Sequence, residues 1–337
     1  MKTAIRIISL ITTAWLFATC SNDSELERNV DVVPEAELTD ATLHMVGLTR
    51  VALGSTDFGD IRVLLNDGTN TSQGVFVYDG VSEWTTRLKL KSGTQTYRTY
   101  GYMPDNAAMS GSITSINADK AVMRIQGLTP ATASQDFCVI TGVRQVGNEE
   151  DLTSATRGIF SFEYASNREN YINLLFDHLY AHIVFKMKVH NDYAALRSIK
   201  VKSMRLQLPS ISQASADITL TNGLGIESVS YAVTGTDNIT LDIRTTEQTL
   251  STTPVEIANA YLAPSTLVTN KLVLVTEYDV YDRKGNKIAE RTATNKLSKP
   301  LLTLTPGEDR TLNLTVEPSY LHLLSEEDMD NPTIVVN

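Results

Sequence analysis

In "TTRLKLKS" (85–92) and "HIVFKMKVH" (182–190), apolar and polar residues alternate one for one. Leu88 and Leu90 fall on one face of the first run, opposite Arg87, Lys89 and Lys91. Ile183, Phe185, Met187 and Val189 share a face of the second. A period of two places one side of an extended chain against a core and the other in water, and no helix can use it that way. Alternating or β-branched runs recur at "TLHMVGL", "DIRVLL", "GVFVYD", "TYRTYGYMP", "KAVMRI" and "DFCVITG". They continue at "SIKVKSMRLQLP", "ADITLT", "NITLDIR", "VEIANAYLAP", "NKLVLVTEYDVYD", "LLTLTPG" and "RTLNLTVEP". Gly, Asn, Asp and Pro separate them, as turns between strands require. "SITSINAD" reads as a short turn at most. The chain is therefore expected to be all-β.

"RKGNK" (283–287) reads as a hairpin turn centred on Gly285 and Asn286. No segment copies itself at a fixed period, which argues against a solenoid or propeller. Two β-sandwiches in series account for the number and spacing of the strands. The expected division is 1–19 signal peptide, 20–39 acidic tether, 40–165 N-terminal sandwich and 166–337 C-terminal sandwich. The boundary near 165 falls within "DLTSATRGIFSFEYASNRENYI".

The first residues read as an export signal. Lys2 and Arg6 precede an apolar run from Ile7 to Phe17, shorter than the twenty or so residues of a membrane span. Ala18 and Thr19 then lead to Cys20, an ending similar to the bacterial lipoprotein signal. There the cysteine becomes the first mature residue and carries lipid, whose hydrocarbon holds the protein at a membrane. Asp23, Glu25 and Glu27 follow, similar to the acidic signal that carries lipoproteins to the cell surface in the Bacteroides group.

The 39 acidic side chains outnumber the 29 basic ones. A basic nucleic-acid footprint is absent, so no nucleic-acid partner is expected. With Cys20 lipidated, Cys138 has no partner for a disulfide, and its neighbours Phe137 and Val139 make it a small buried hydrophobe. His178 and His182 are four apart and would share one face of a strand, packed near the domain junction. His44 and His322 read as isolated. No HExxH, nucleophile elbow, G-x-G-x-x-G or Walker loop occurs, and Asp328 and Asp330 lack the EF-hand spacing. Neither an enzyme nor a cofactor or metal is expected.

Several stretches resemble the fimbrillin-like (Mfa-like) family of Bacteroides-type bacteria, the lipoprotein precursors of fimbriae. They are the lipoprotein start, the aromatic pattern "GVFVYDGVSEWTT…YRTYGYMPDN", and "LLFDHLYAHIVFKMKV" with Phe176, His178 and Ala181. The closing "LTPGEDRTLNLTVEPSYL" is similar as well. The resemblance implies two transthyretin-like β-sandwich domains and a surface-exposed outer-membrane lipoprotein that enters fimbriae. It also implies assembly by strand donation: an arginine-specific protease frees an early strand, and a neighbouring subunit's strand fills the groove. A sheet edge stripped of its neighbour presents unpaired N–H and C=O groups beside apolar sockets, which explains why a replacement binds. Each subunit donates and accepts, so the contact propagates.

Carried onto this chain, Arg50 is the candidate cut site. Thr42, Leu43, His44, Met45, Val46, Gly47 and Leu48 form the candidate removable strand. Either Thr42–His44–Val46–Leu48 or Leu43–Met45–Gly47 could be its inner face, and the segment could also remain as a permanent first strand. Thr333, Ile334, Val335 and Val336 are the candidate donor strand. The expected partners are other fimbrial subunits, the protease, the outer membrane through lipid, and a ligand on a host or bacterial surface. A tip or anchor subunit, or a non-catalytic glycan-binding lipoprotein using Trp84, Tyr97, Tyr100 and Tyr102 as a platform, are the alternatives.

Overall fold

The computed structural model describes residues 38–50, 59–79, 84–145, 157–317 and 321–325, and of 46–50 and 321–325 the backbone alone. Cys20, Asp328, Asp330 and the candidate donor Thr333–Val336 lie outside the described residues. The fold is all-β, as the alternation predicts. Its described residues belong to one compact unit, Val33–Asn337.

The largest sheet begins with β1 (Leu38–Arg50), β2 (Ile61–Asn66), β3 (Thr71–Tyr78), β4 (Trp84–Lys91) and β5 (Thr94–Met103). Later in the chain come β6 (Ser110–Ile116), β7 (Lys120–Leu128), β8 (Ala131–Thr132), β9 (Cys138–Gln145), β10 (Ser161–Ala165) and β11 (Asn170–His178). The sheet order is β10-β5-β2-β3-β4-β1-β11-β9, and β5 pairs with β9 as well. That last pairing turns the sheet into a ring. It is possible because one edge of β5 is divided: residues 94–98 pair with β10, while Tyr102 and Met103 pair with Val139 and Cys138. Between them Gly101 lies so close to β2 that an added Cβ would sit 2.1 Å from the Arg62 carbonyl oxygen. No larger residue fits there.

The ring encloses one apolar core, which includes Leu43, Met45, Val63, Phe76, Leu90 and Phe176. Alternation along β5 sends Tyr97 into this core. Tyr100 and Tyr102 go to the opposite face and a second core. The second core is built mainly from β12 (Ala181–Val189), β13 (Ser198–Leu208), β14 (Gln213–Thr221), β18 (Val255–Leu262), β19 (Val273–Tyr281) and β21 (Asp309–Val316). Phe185, Met187, Ile199 and Ile218 are completely buried in it.

The halves of the chain interlock. β7 pairs with β14, and β8 with β18, so strands from before and after residue 165 share sheets. β10, which ends at residue 165, and β11, which follows it, belong to the same sheet. The chain leaves the ring only after His178, because β11 is needed to cover one edge of β1.

Two readings of local sequence differ from the structure. Residues 301–307, expected as a strand, instead follow a helical turn at Ser298–Leu301, where Pro300 removes a backbone donor. "SITSINAD" (112–119), read as a short turn at most, contributes its first five residues to strand β6. It is a sheet edge with no fully buried residue, so no apolar face marks it in the sequence. The hairpin at "RKGNK" forms as expected: β19 ends at Tyr281, β20 (Lys287–Lys296) follows, and Gly285 takes φ +82°.

The β2–β3 turn is held by Asp67. Its carboxylate accepts the N–H groups of Thr69 at 2.8 Å and Asn70 at 2.7 Å, and Lys91 Nζ approaches to 2.9 Å. Burial opposes the charge, but the Asn70 N–H, Lys91 and the Thr69 N–H together outweigh it and hold the carboxyl below its usual 3.8. Asp67→Asn should lower stability at neutral pH by about 1–3 kcal/mol. A depressed carboxyl contributes fully above its unfolded-state pKa, and the contribution is lost as pH falls through the folded-state value. Urea unfolding of both proteins should therefore converge below pH 3.8.

Candidate functional site: the first strand and its slot

β1 lies between two neighbours. It runs antiparallel to β4, from Leu38 opposite Lys91 to Met45 opposite Trp84. It runs parallel to β11, from Leu43 opposite Asn170 to Arg50 opposite Phe176, with an irregularity between Met45 and Gly47. The Thr39 hydroxyl also donates to the Leu90 carbonyl at 3.3 Å. Both hydrogen-bonding edges of the strand are thus engaged.

The structure decides between the two possible faces. Ala41, Leu43 and Met45 point into the ring, 5%, 0% and 0% exposed, whereas Thr42 is exposed. His44 lies on the outer side and stacks on Tyr171 of β11, ring centres 4.8 Å apart. Burying Leu43 and Met45 contributes roughly 3–6 kcal/mol. The irregularity after Met45 explains why alternation in "DATLHMVGLTR" is untidy: the register shifts where Gly47 enters.

The slot's walls are fixed independently of β1. On the β11 side Asn170 is 2% exposed. Its amide nitrogen donates to the carbonyls of Ala165 and Arg168, both at 3.0 Å, and its oxygen accepts the Ala165 N–H at 3.0 Å. This clamps the β10–β11 turn directly beside Leu43. On the β4 side Trp84 is 7% exposed and lies 4.5 Å from the Tyr78 ring. With β1 gone, β4 and β11 would face each other across two strand spacings, about 10 Å. Arg50 ends β1, at the point where the backbone has paired with Phe176.

The remaining sequence candidates are placed as follows. Tyr97, Tyr100 and Tyr102 are 2%, 2% and 1% exposed, and Trp84 is equally interior, so these rings form core and no exposed platform. Their aromatic bulk is spent on packing: Tyr97 against Phe162 and Tyr164, Tyr100 against Phe160. His178 and His182 do not share a strand face. Leu179 and Tyr180 turn the chain between β11 and β12. His178 consequently meets Asp136, while His182 pairs with Asp309 at 2.8 Å and stacks on Tyr261. Cys138 is buried as expected, but it too adjoins Asp136 and His178. Asp136 was not singled out in the sequence, where its only sign is the two-residue spacing to Cys138.

No protein-family model matches the chain, and no curated protein does. Solved structures do. A candidate cell adhesion protein from Bacteroides uniformis is 10% identical, covering 85% of this chain and 97% of its own, with a TM-score of 0.43. A fimbrial protein from Bacteroides vulgatus is 10% identical over 85% and 98%, TM-score 0.41. The fimbrial anchor protein Mfa2 from Porphyromonas gingivalis is 11% identical over 86% and 98%, TM-score 0.29. The solved structures matched by this chain thus include fimbrial and cell-adhesion proteins of Bacteroides and Porphyromonas, all at low sequence identity.

Proposed function

We propose that the chain is a structural subunit of cell-surface fimbriae, exported as a lipoprotein through Cys20 and matured by cleavage after Arg50. The cut frees β1, and a strand of a neighbouring subunit replaces it. One observation supports this above the others: β1 fills a slot walled by β4 and β11, and the candidate cleavage residue is its last. An incoming strand would regain the backbone pairs and the sockets of Ala41, Leu43 and Met45 together. Thr333–Val336, rich in β-branched residues, is the proposed donor. Because Cys20 lies upstream of Arg50, the same cut separates the body from its lipid. A copy that escapes cutting stays at the membrane and serves as an anchor.

Treatment of the purified precursor with an arginine-specific protease provides the test. Mass spectrometry should find cleavage after Arg50, the large fragment should leave detergent micelles, and native gels should show ladders of oligomers. Verified cleavage with a monomeric product would overturn strand donation. The Trp84 environment supplies a second readout, since Trp84 lies opposite Met45 and the chain's other tryptophan, Trp15, precedes Cys20. Its emission should move to longer wavelength when β1 departs and return when a donor enters.

A further inference from the structure

Among the described residues, Asp136, Cys138 and His178 bring three metal-ligating side chains together, with ligand atoms within 4.8 Å of one another. Ladder geometry produces this arrangement. Cys138 opens β9 and lies directly opposite His178, the last residue of β11. Directly opposed side chains on an antiparallel pair share a face. Asp136, two residues before Cys138, returns to that face in an extended chain, while Phe137 points away to Tyr180. The Leu179 N–H donates to the Phe137 carbonyl at 2.7 Å and fixes the two segments beyond the last ladder pair.

We propose that Asp136, Cys138 and His178 form a binding site for a divalent ion of zinc-like softness. Cys138 Sγ lies 3.6 Å from Asp136 Oδ2 and 3.8 Å from His178 Nδ1. A tetrahedral zinc ion separates sulfur from nitrogen or oxygen ligands by about 3.6 Å. Two of the three spacings therefore already suit the ion. The third is a hydrogen bond between Asp136 Oδ2 and His178 Nδ1, which must widen to about 3.3 Å by carboxylate rotation. As the ion binds, the thiol proton leaves to solvent and the imidazole proton passes from Nδ1 to Nε2, so that thiolate, carboxylate and neutral imidazole take up three positions.

The surroundings favour an ion over a simple ion pair. Cys138 is fully buried and the Asp136 side chain only 6% exposed, so little water competes with the ligands. His178 lines a cavity of about 440 Å³, along with Arg157, Tyr231, Pro306 and Gly307. Of the three ligands only His178 borders this space, which brings solvent to the imidazole side of the site. A bound ion would tie β9 to β11 at the place where β5 also joins β9.

Cobalt titration of the uncut, lipidated chain, purified in detergent and stripped with chelator, tests the site. One equivalent should bind with a thiolate-to-cobalt charge-transfer band and tetrahedral visible bands, and zinc should abolish both. Cys138→Ala should eliminate the charge-transfer band, and His178→Ala or Asp136→Asn should weaken affinity at least 10-fold. Because the titration of the unaltered chain decides by itself, an unstable variant leaves the test intact. A folded wild-type chain that binds cobalt without a thiolate band, or fails to bind at millimolar cobalt, would overturn the proposal. The result is independent of strand donation, which leaves these residues in place.

Discussion

Leu43→Asp should destabilise the uncut ring by more than about 4 kcal/mol, the largest effect expected of any single change in β1. The substitution removes a fully buried leucine and places a carboxylate among Met45, Leu88, Leu90 and Phe176. Cavity formation alone costs about 3–5 kcal/mol, and burial of an uncompensated charge adds to it. Urea unfolding followed by Trp84 emission should show an early transition, because Trp84 borders the same strand. Thr42→Asp, one residue away on the exposed face, should change stability by less than about 0.5 kcal/mol. The pair separates the two faces of β1. If strand donation operates, Leu43→Asp should also accelerate oligomer formation after cleavage, since the outgoing strand is held more weakly. Unchanged stability would show that β1 does not occupy its slot in solution.

Phe185→Ala should cost about 3–5 kcal/mol. Phe185 is fully buried in the second core, on a strand flanked by β18 on one side and β21 on the other. Its loss empties a volume that these paired strands cannot collapse to fill. Leu43 and Phe185 belong to separate apolar clusters, so the two destabilisations should add within about 0.5 kcal/mol in the double variant. Calorimetry of the single and double variants checks this, and strong coupling would mean that the two cores are energetically linked in the folded state. Phe185→Ala should leave Trp84 emission in the folded state unchanged, whereas Leu43→Asp should alter it.

The strands that were legible in the sequence are those with one wet and one dry face. β4, β12 and β13 announce themselves through Leu88 and Leu90, through Ile183–Phe185–Met187, and through Ile199 and Val201. β6 was not legible, because on this edge strand even Ile113 and Ile116 are only half-buried, and Ser, Thr and Gly around them give little contrast. The candidate strand β1 could be named from its resemblance to a family, but its inner face could not. Gly47 and the register shift beside it erase the alternation where a choice was needed. The meeting of Asp136 with His178 was hidden for a different reason. It depends on which strands pair, and the register of β9 against β11 is written in no local pattern.

The closure of the ring through the divided edge of β5 has a mechanical result. Take β1 away, and β4, β3, β2, β5, β9 and β11 still form an unbroken hydrogen-bonded series. The body behaves like a cask hoop with a single stave drawn out: it gapes at one seam and does not come apart. The width of that seam is governed on the far side, where only Tyr102 and Met103 of β5 grip Val139 and Cys138. If strand donation operates, substitutions that loosen this small joint should alter how well a foreign stave fits, although they lie across the ring from the slot.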